Sequence, residues 1–463
     1  MSTTVHEASW RGVESRERKA ATPPGPRGTP LIGVLKPFSD NPLDFVTQTA
    51  RRWEGGVIRL PFGPVTQYFI TDPALIEEVL LTRSGSFIKD EMTRKLSTAL
   101  GQGLLTTEGE AWKRSRKLVA PKLRKKQIEA YADAMVRHTE AAVGKWETGE
   151  VRDIHEEMMH LTLEIVAETL FGASVGDGAH KVGQCLESMM EVFVAEERTL
   201  LRFVPDWIPT PSRVKARKGI GDLDAVLFGM IEARRQGAPG DDLLWLLLTA
   251  EDDEGGRMSD LQLRDEAVTL FLAGHETTAL ALSFALTLIA EHSAFERRLT
   301  DEIDAVLGDR PATADDFMRL PLTTAAVKEA MRLYPPAWAI GREAIEEVEI
   351  GGYTIPKGGQ VFMSQWVTHR DPRWFKDPER FDPERWMVED PDRPRFAYFP
   401  FGGGPRVCVG NHFAMMEMVL VLATLYQRAR VRRTSWEKLE ISPAVTLRPT
   451  GPINMRIERI DKA

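Results

Sequence analysis

The chain holds two cysteines, Cys185 and Cys408, and the second stands in the stretch FGGGPRVCVG, Phe401 to Gly410. A thiol placed there is chemically biased. Gly402, Gly403, Gly404 and Gly410 free the backbone to adopt positive φ or to approach another group closely. Backbone N–H groups in such a turn stabilise a thiolate, and Arg406 adds a cation that stays charged. The helix predicted to follow directs its positive end at the sulfur. Together these effects predict a thiolate, the form that acts as nucleophile or metal ligand. Cys185, in VGQCLESMM, reads instead as a small buried hydrophobe.

A nucleophile needs a base; His412 is the nearest histidine in sequence, but it lies on the following helix and the sequence does not fix its direction. A structural zinc site needs about four ligands, and Cys408 has no second cysteine nearby. HEEMMH, His155 to His160, approximates a zinc motif. Its i, i+5 spacing sets the two histidines about 140° apart around a helix, so they share a metal poorly. A single thiolate suits a cofactor that brings its other ligands, as haem does.

FGGGPRVCVG meets the pattern F-x-x-G-x-R-x-C-x-G, with Phe401, Gly404, Arg406, Cys408 and Gly410 at the fixed positions. It resembles the cytochrome P450 family of haem-thiolate monooxygenases. The resemblance implies Cys408 as the iron ligand of haem b. It extends to other stretches. KEAMR holds Glu329 and Arg332, and FDPERW holds Arg385; the family implies a buried structural triad of these three. AGHETT runs from Ala273 to Thr278 inside a long apolar segment. A buried acid beside a hydroxyl is costly there without a task or a partner. The family implies that Ala273 and Gly274 make room over the haem, that Thr277 hydrogen-bonds dioxygen, and that Glu276 feeds protons through water. In EGEAWKRSRKL, Trp112 and Arg116 stand at i, i+4 and share a helix face. The resemblance implies both as donors to the haem propionates, with Arg406 and Arg342.

The implied activity inserts one atom of O2 into an apolar organic substrate: a terpenoid, steroid, fatty acid or polyketide. Electrons are expected from a separate acidic ferredoxin or flavodoxin with its reductase. A peroxide-driven peroxygenase and a non-enzymatic haem sensor share the cysteine loop. The acid–threonine pair weighs against both.

These residues need a scaffold. At 463 residues and 43% apolar composition the chain can bury a large core. Its net charge of −8 gives no support to nucleic-acid binding. Two cysteines point to a reducing, cytoplasmic setting. Residues 1–22 are polar and predict a flexible tail without signal peptide or anchor, leaving 23–463 as a single domain and a monomer as the expected state. Ala267 to Ala290 is long enough to span a membrane, but His275 and Glu276 near its middle predict a buried helix instead. Helical periodicity dominates from about residue 72 to 332. Strand patterns appear in GVIRLPFGPVTQYFIT and EEVEIGGYTIPKGGQVFM. The predicted fold is mainly α with small β-sheets, an α+β arrangement in which the long helix and the cysteine loop enclose the cofactor. Candidate pocket segments are SFIKDEMTRKLSTALGQGLL, SMMEVFVAEERTLLRFVPDWIP, PPAWAIG and AVTLRP. WKRSRKLVAPKLRKKQ, Trp112 to Gln127, holds eight cations and no acid, which predicts a basic docking patch for an acidic electron donor.

Overall fold

A 32-residue helix, Asp260–Glu291, runs through the middle of the molecule. The computed structural model describes residues 22–53, 55–172, short stretches between 182 and 192, Ile208, and 210–460. The central helix starts at a reciprocal cap: Ser259 Oγ accepts from the Gln262 amide, and the Gln262 side chain accepts from the Ser259 amide. Its apolar residues fall on all sides, so it is buried nearly throughout and cannot be a one-faced surface helix. It packs against helices Ile154–Phe171, Pro211–Gln236, Pro321–Leu333 and Asn411–Arg428. Ala279, Ala281 and Ala285 are fully buried and let those neighbours approach. Each large apolar side chain fully buried here, such as Phe271 or Phe284, contributes about 1.5–3 kcal/mol. The one described helix long and apolar enough to cross a membrane is this one, and it lies inside the protein.

The strand patterns form a five-stranded sheet. Its order is Val57–Phe62, Val65–Ile70, Gln360–Met363, Ile340–Ala344, Phe87–Lys89. The first pair is a hairpin, and Val65–Ile70 then pairs in parallel with Gln360–Met363. Three further small sheets complete the described strands. One is a hairpin, Ile441–Pro443 with Leu447–Pro449, near the C-terminus. The layout is the expected one of helices with small sheets. Most of SMMEVFVAEERTLLRFVPDWIP and nearly all of the predicted N-terminal tail lie outside the described residues.

Two elements set the cysteine loop. The helix Asn411–Arg428 follows it directly. A π-helical turn, Glu78–Thr82, lies beneath it. At Gly404, φ is +67°, and a Cβ would fall 1.8 Å from the Leu80 carbonyl oxygen. Only glycine meets both conditions.

Candidate active site

The loop closes on itself. The Cys408 amide donates to the Phe401 carbonyl at 2.9 Å, and the Val407 amide to that of Gly404 at 3.1 Å. Phe401 packs on the core formed by the central and post-cysteine helices. Cys408 is accessible to a water-sized probe, although burial dominates its acidity. The sulfur therefore lines an interior cleft. Burial pushes the thiol above its usual value, against the Gly410 N–H and Arg116. This corrects the expectation of a thiolate set by the loop alone: desolvation of the charged form outweighs those two contributions. A bound metal cation reverses the balance, because a coordinating thiol is deprotonated outright.

The central helix carries a similar mark. Within the buried central helix, Ala273 is exposed, and Leu272 and Thr277 are half-buried. Leu272 and Val409, chain neighbours of Ala273 and Cys408, pack against one apolar cluster. Gly274 has a different neighbour. A Cβ there would come within 3.1 Å of Val166 on the helix Ile154–Phe171, so the glycine serves helix packing. The Thr277 hydroxyl donates to the Ala273 carbonyl at 2.6 Å. At Gly410 a Cβ would meet nothing within 4 Å.

At the edge of the cleft, cations crowd together. Lys89, which the sequence did not single out, is buried and donates to the Leu104 and Thr107 carbonyls, each at 2.9 Å. Burial and the nearby Arg406 lower it to about 7. Burial and Arg406 likewise lower Arg342 to about 10. Arg406 is paired with Glu108 and stacks over the Trp112 ring at 4.3 Å, yet its buried Nη1 has no partner. Glu108 also accepts from the Lys89 amide at 2.7 Å. Glu108 faces all three, with Asp90 near Arg342 and Glu266 near Lys89, yet Arg406 still lowers both of its neighbours, so repulsion among the cations persists. Two carboxylates would offset it, and haem carries two propionates, so these residues fit the cofactor. Arg116 takes another place, donating to the Val407 carbonyl at 2.7 Å beside the sulfur.

Behind the loop the expected triad is assembled. Glu329 accepts from Arg332 Nε and Nη2 at 2.9 and 2.8 Å, and from Arg385 Nε at 3.1 Å. Two donors come in addition: Trp386 Nε1 at 2.8 Å and the Asp382 amide at 2.9 Å. Arg332 uses its remaining N–H groups on the carbonyls of His369, Pro378 and Arg380. His369 accepts from the Phe399 amide at 2.9 Å, linking the triad to the start of the cysteine loop. That bond requires an unprotonated Nε2. Burial, with help from Arg332 and Arg370, holds the ring well below the usual histidine range.

Glu276 is buried and ion-paired with Arg448 at 2.7 Å, and Thr446 also donates to it. The segment AVTLRP, read as pocket wall, thus carries a partner for the buried acid. The basic run is partly neutralised. Asp252 holds Arg114, Asp253 holds Lys117 and Glu110 holds Lys113. Arg124, Lys125 and Lys126 are exposed and make no ion pair among the described residues. They precede Ile128 and Tyr131, whose core includes Phe413 of the post-cysteine helix.

A mainly helical scaffold with an exposed cysteine in a glycine-rich loop, buried cations beside it and an exposed alanine in an otherwise buried helix is what a haem-thiolate protein needs. Comparison with known proteins agrees. The Cytochrome P450 family model matches residues 23–455, and the chain belongs to that family. It is 34% identical to a protein named cyclooctat-9-en-7-ol 5-monooxygenase from Streptomyces melanosporofaciens, over 90% of this chain and 91% of that one. It is 32% identical to pentalenene oxygenase from Streptomyces avermitilis, over 89% and 91%. Among solved structures, the cytochrome P450DA heme domain superposes with a TM-score of 0.86 at 28% identity, covering 95% of this chain and 98% of that one. The chain is a P450 monooxygenase, and its cofactor is haem b.

Proposed function

We propose that this P450 hydroxylates an apolar terpenoid in the cytoplasm, acting as a monomer with electrons from a separate acidic ferredoxin or flavodoxin. The observation that carries the substrate reading is the apolar character of what surrounds Cys408 and Ala273. Leu96, Leu100, Leu104, Leu263 and Leu270 belong to one buried apolar cluster, with Leu272, Val409 and Val445 against it. The acid next to Thr277 is already matched by Arg448. Such a wall offers dispersion contacts and little to recognise a charged guest. The relatives named for cyclooctat-9-en-7-ol and pentalenene support the terpenoid class.

In this reading Cys408 would hold the iron, and Arg406, Arg342, Lys89 and Trp112 would hold the propionates. The bound haem supplies activation of O2 and transfer of one oxygen atom to carbon. The chain does the rest. The apolar walls orient the substrate and exclude water. Thr277 presents a hydroxyl at the cleft, and Glu276 one position earlier handles protons. Arg116 steadies the loop at Val407. Arg124, Lys125 and Lys126, beside the post-cysteine helix, attract the electron donor.

Two measurements test this. Reduced protein under carbon monoxide should show the thiolate-type spectrum; Cys408→Ala should abolish it while Cys185→Ala retains it. Loss with Cys185→Ala instead would refute the ligand assignment. Pentalenene should give the spectral shift of displaced water, and lauric acid should bind more weakly. The reverse order would remove the terpenoid reading.

A further inference from the structure

The carboxylate of Glu276 is held from one side by a single element. Arg448 Nε lies 2.7 Å from Oε1, and Nη2 lies 2.7 Å from the same oxygen. The Thr446 hydroxyl donates to that oxygen too. All three donors come from the C-terminal hairpin. That hairpin is fixed independently of Glu276: Trp338 Nε1 donates to the Ala444 carbonyl, and the Leu447 amide to that of Pro336, both at 2.9 Å. Its turn residue Val445 packs against the apolar cluster of the cleft.

The other ionisable groups around Glu276 give it no second counter-charge. His275, on the same helix, is buried, contacts the Phe271 carbonyl through Nδ1 at 2.9 Å, and is kept neutral by burial. His155, on the neighbouring helix, is lowered by burial and lies beside Asp153 and Ser283. Arg448 is therefore the one described cation that matches this buried acid. An unmatched buried carboxylate is strongly disfavoured or takes up a proton.

We propose that Arg448 is the positioning residue for Glu276: the hairpin holds the carboxylate oxygen in place and supplies its counter-charge, so that protons reach Thr277 through Glu276 in a controlled way. This rests on the reading above that Glu276 and Thr277 handle protons. It makes the C-terminal hairpin part of the oxygen-activation machinery as well as a wall of the pocket.

The test uses the haem-loaded protein with Arg448→Gln, Arg448→Lys, Glu276→Gln and Thr277→Ala. One readout needs no substrate. In an infrared pH titration, the protonated-carboxyl band that Glu276→Gln removes should appear about one pH unit or more higher in Arg448→Gln than in the wild type. Arg448→Lys should restore the wild-type midpoint. An unchanged midpoint in Arg448→Gln overturns the proposal. The second readout takes pentalenene as probe and compares O2-driven with peroxide-driven turnover, since peroxide brings the protons with it. Arg448→Gln should lower product per O2 by about 10-fold and leave the peroxide route within about twofold. Equal loss by both routes overturns the proposal, because the pocket itself would then be damaged. Wild-type coupling in Arg448→Gln with impaired Thr277→Ala overturns it while leaving the proposed function intact. Wild-type coupling in all the variants overturns both.

Discussion

Gly404 and Gly410 occupy the same motif and carry different burdens. Gly404 combines a φ of +67° with a backbone oxygen where its Cβ would stand. Gly404→Ala should destabilise the protein by at least about 1–3 kcal/mol, since both strain and displacement of the π-turn are involved. Urea unfolding and haem content measure it. Gly410 has φ −93° and open surroundings. Gly410→Ala should leave the apoprotein within about 0.5 kcal/mol of wild type. Any defect would then appear only in haem uptake, and an equal loss of apoprotein stability in both variants would contradict the argument. The cysteine, its arginine and the Glu329 triad were legible because they recur at tight spacings in a recognisable order. Lys89 and Arg448 were not. A lone cation in FIK or TLRP has no spacing to betray it, and its meaning comes only from the residues that folding brings beside it.

Between elements, the chief link is the chain from Glu329 through Arg332 and His369 to Phe399. Breaking a buried pair of this kind costs about 3–5 kcal/mol, because the partner is left charged and dry. His369 adds a pH dependence with a definite sign. Its folded value is depressed by burial, so the unfolded chain takes up the proton first. Stability is therefore full above the unfolded value of about 6.5 and falls as pH drops below it. Urea unfolding from about pH 7 to about pH 5 should show this fall, and His369→Gln should remove a slope of up to about 1.4 kcal/mol per pH unit. An identical slope in the variant would dissociate His369 from the acid sensitivity. His155 and His275 act in the same direction and remain in the variant. The central helix itself was readable from its length and apolar run. The direction of each side chain on it was not: Ala273 and Gly274 are adjacent in one motif, yet one meets the cleft and the other meets Val166.

For the molecule as a whole, a net charge of −8 hides a local surplus. The run from Trp112 to Gln127 looked uniformly basic, but Asp252, Asp253 and Glu110 cover its first half. Those aspartates stand more than a hundred positions away, so the pairing was invisible along the chain. The second half, Arg124 to Lys126, remains open. Charge reversal at Lys125 and Lys126 should slow reduction by an acidic ferredoxin at low salt and matter little beyond about 0.15 M, where the Debye length is about 8 Å. Stopped-flow reduction rates decide it, and indifference to both mutation and salt would place docking elsewhere. The same long range governs how the protein comes into being. Glu108 meets Arg406 across 298 positions, and Arg116 meets Val407 across 291. Contacts of such separation form late, after the loop-closure entropy of most of the chain has been overcome. During synthesis, the helix holding Trp112 and Arg116 leaves the ribosome long before its cysteine exists. The pocket cannot grip a macrocycle until the segments around Arg116 and Cys408 have both emerged. Haem capture therefore waits on the later of the two segments, however early the first has folded.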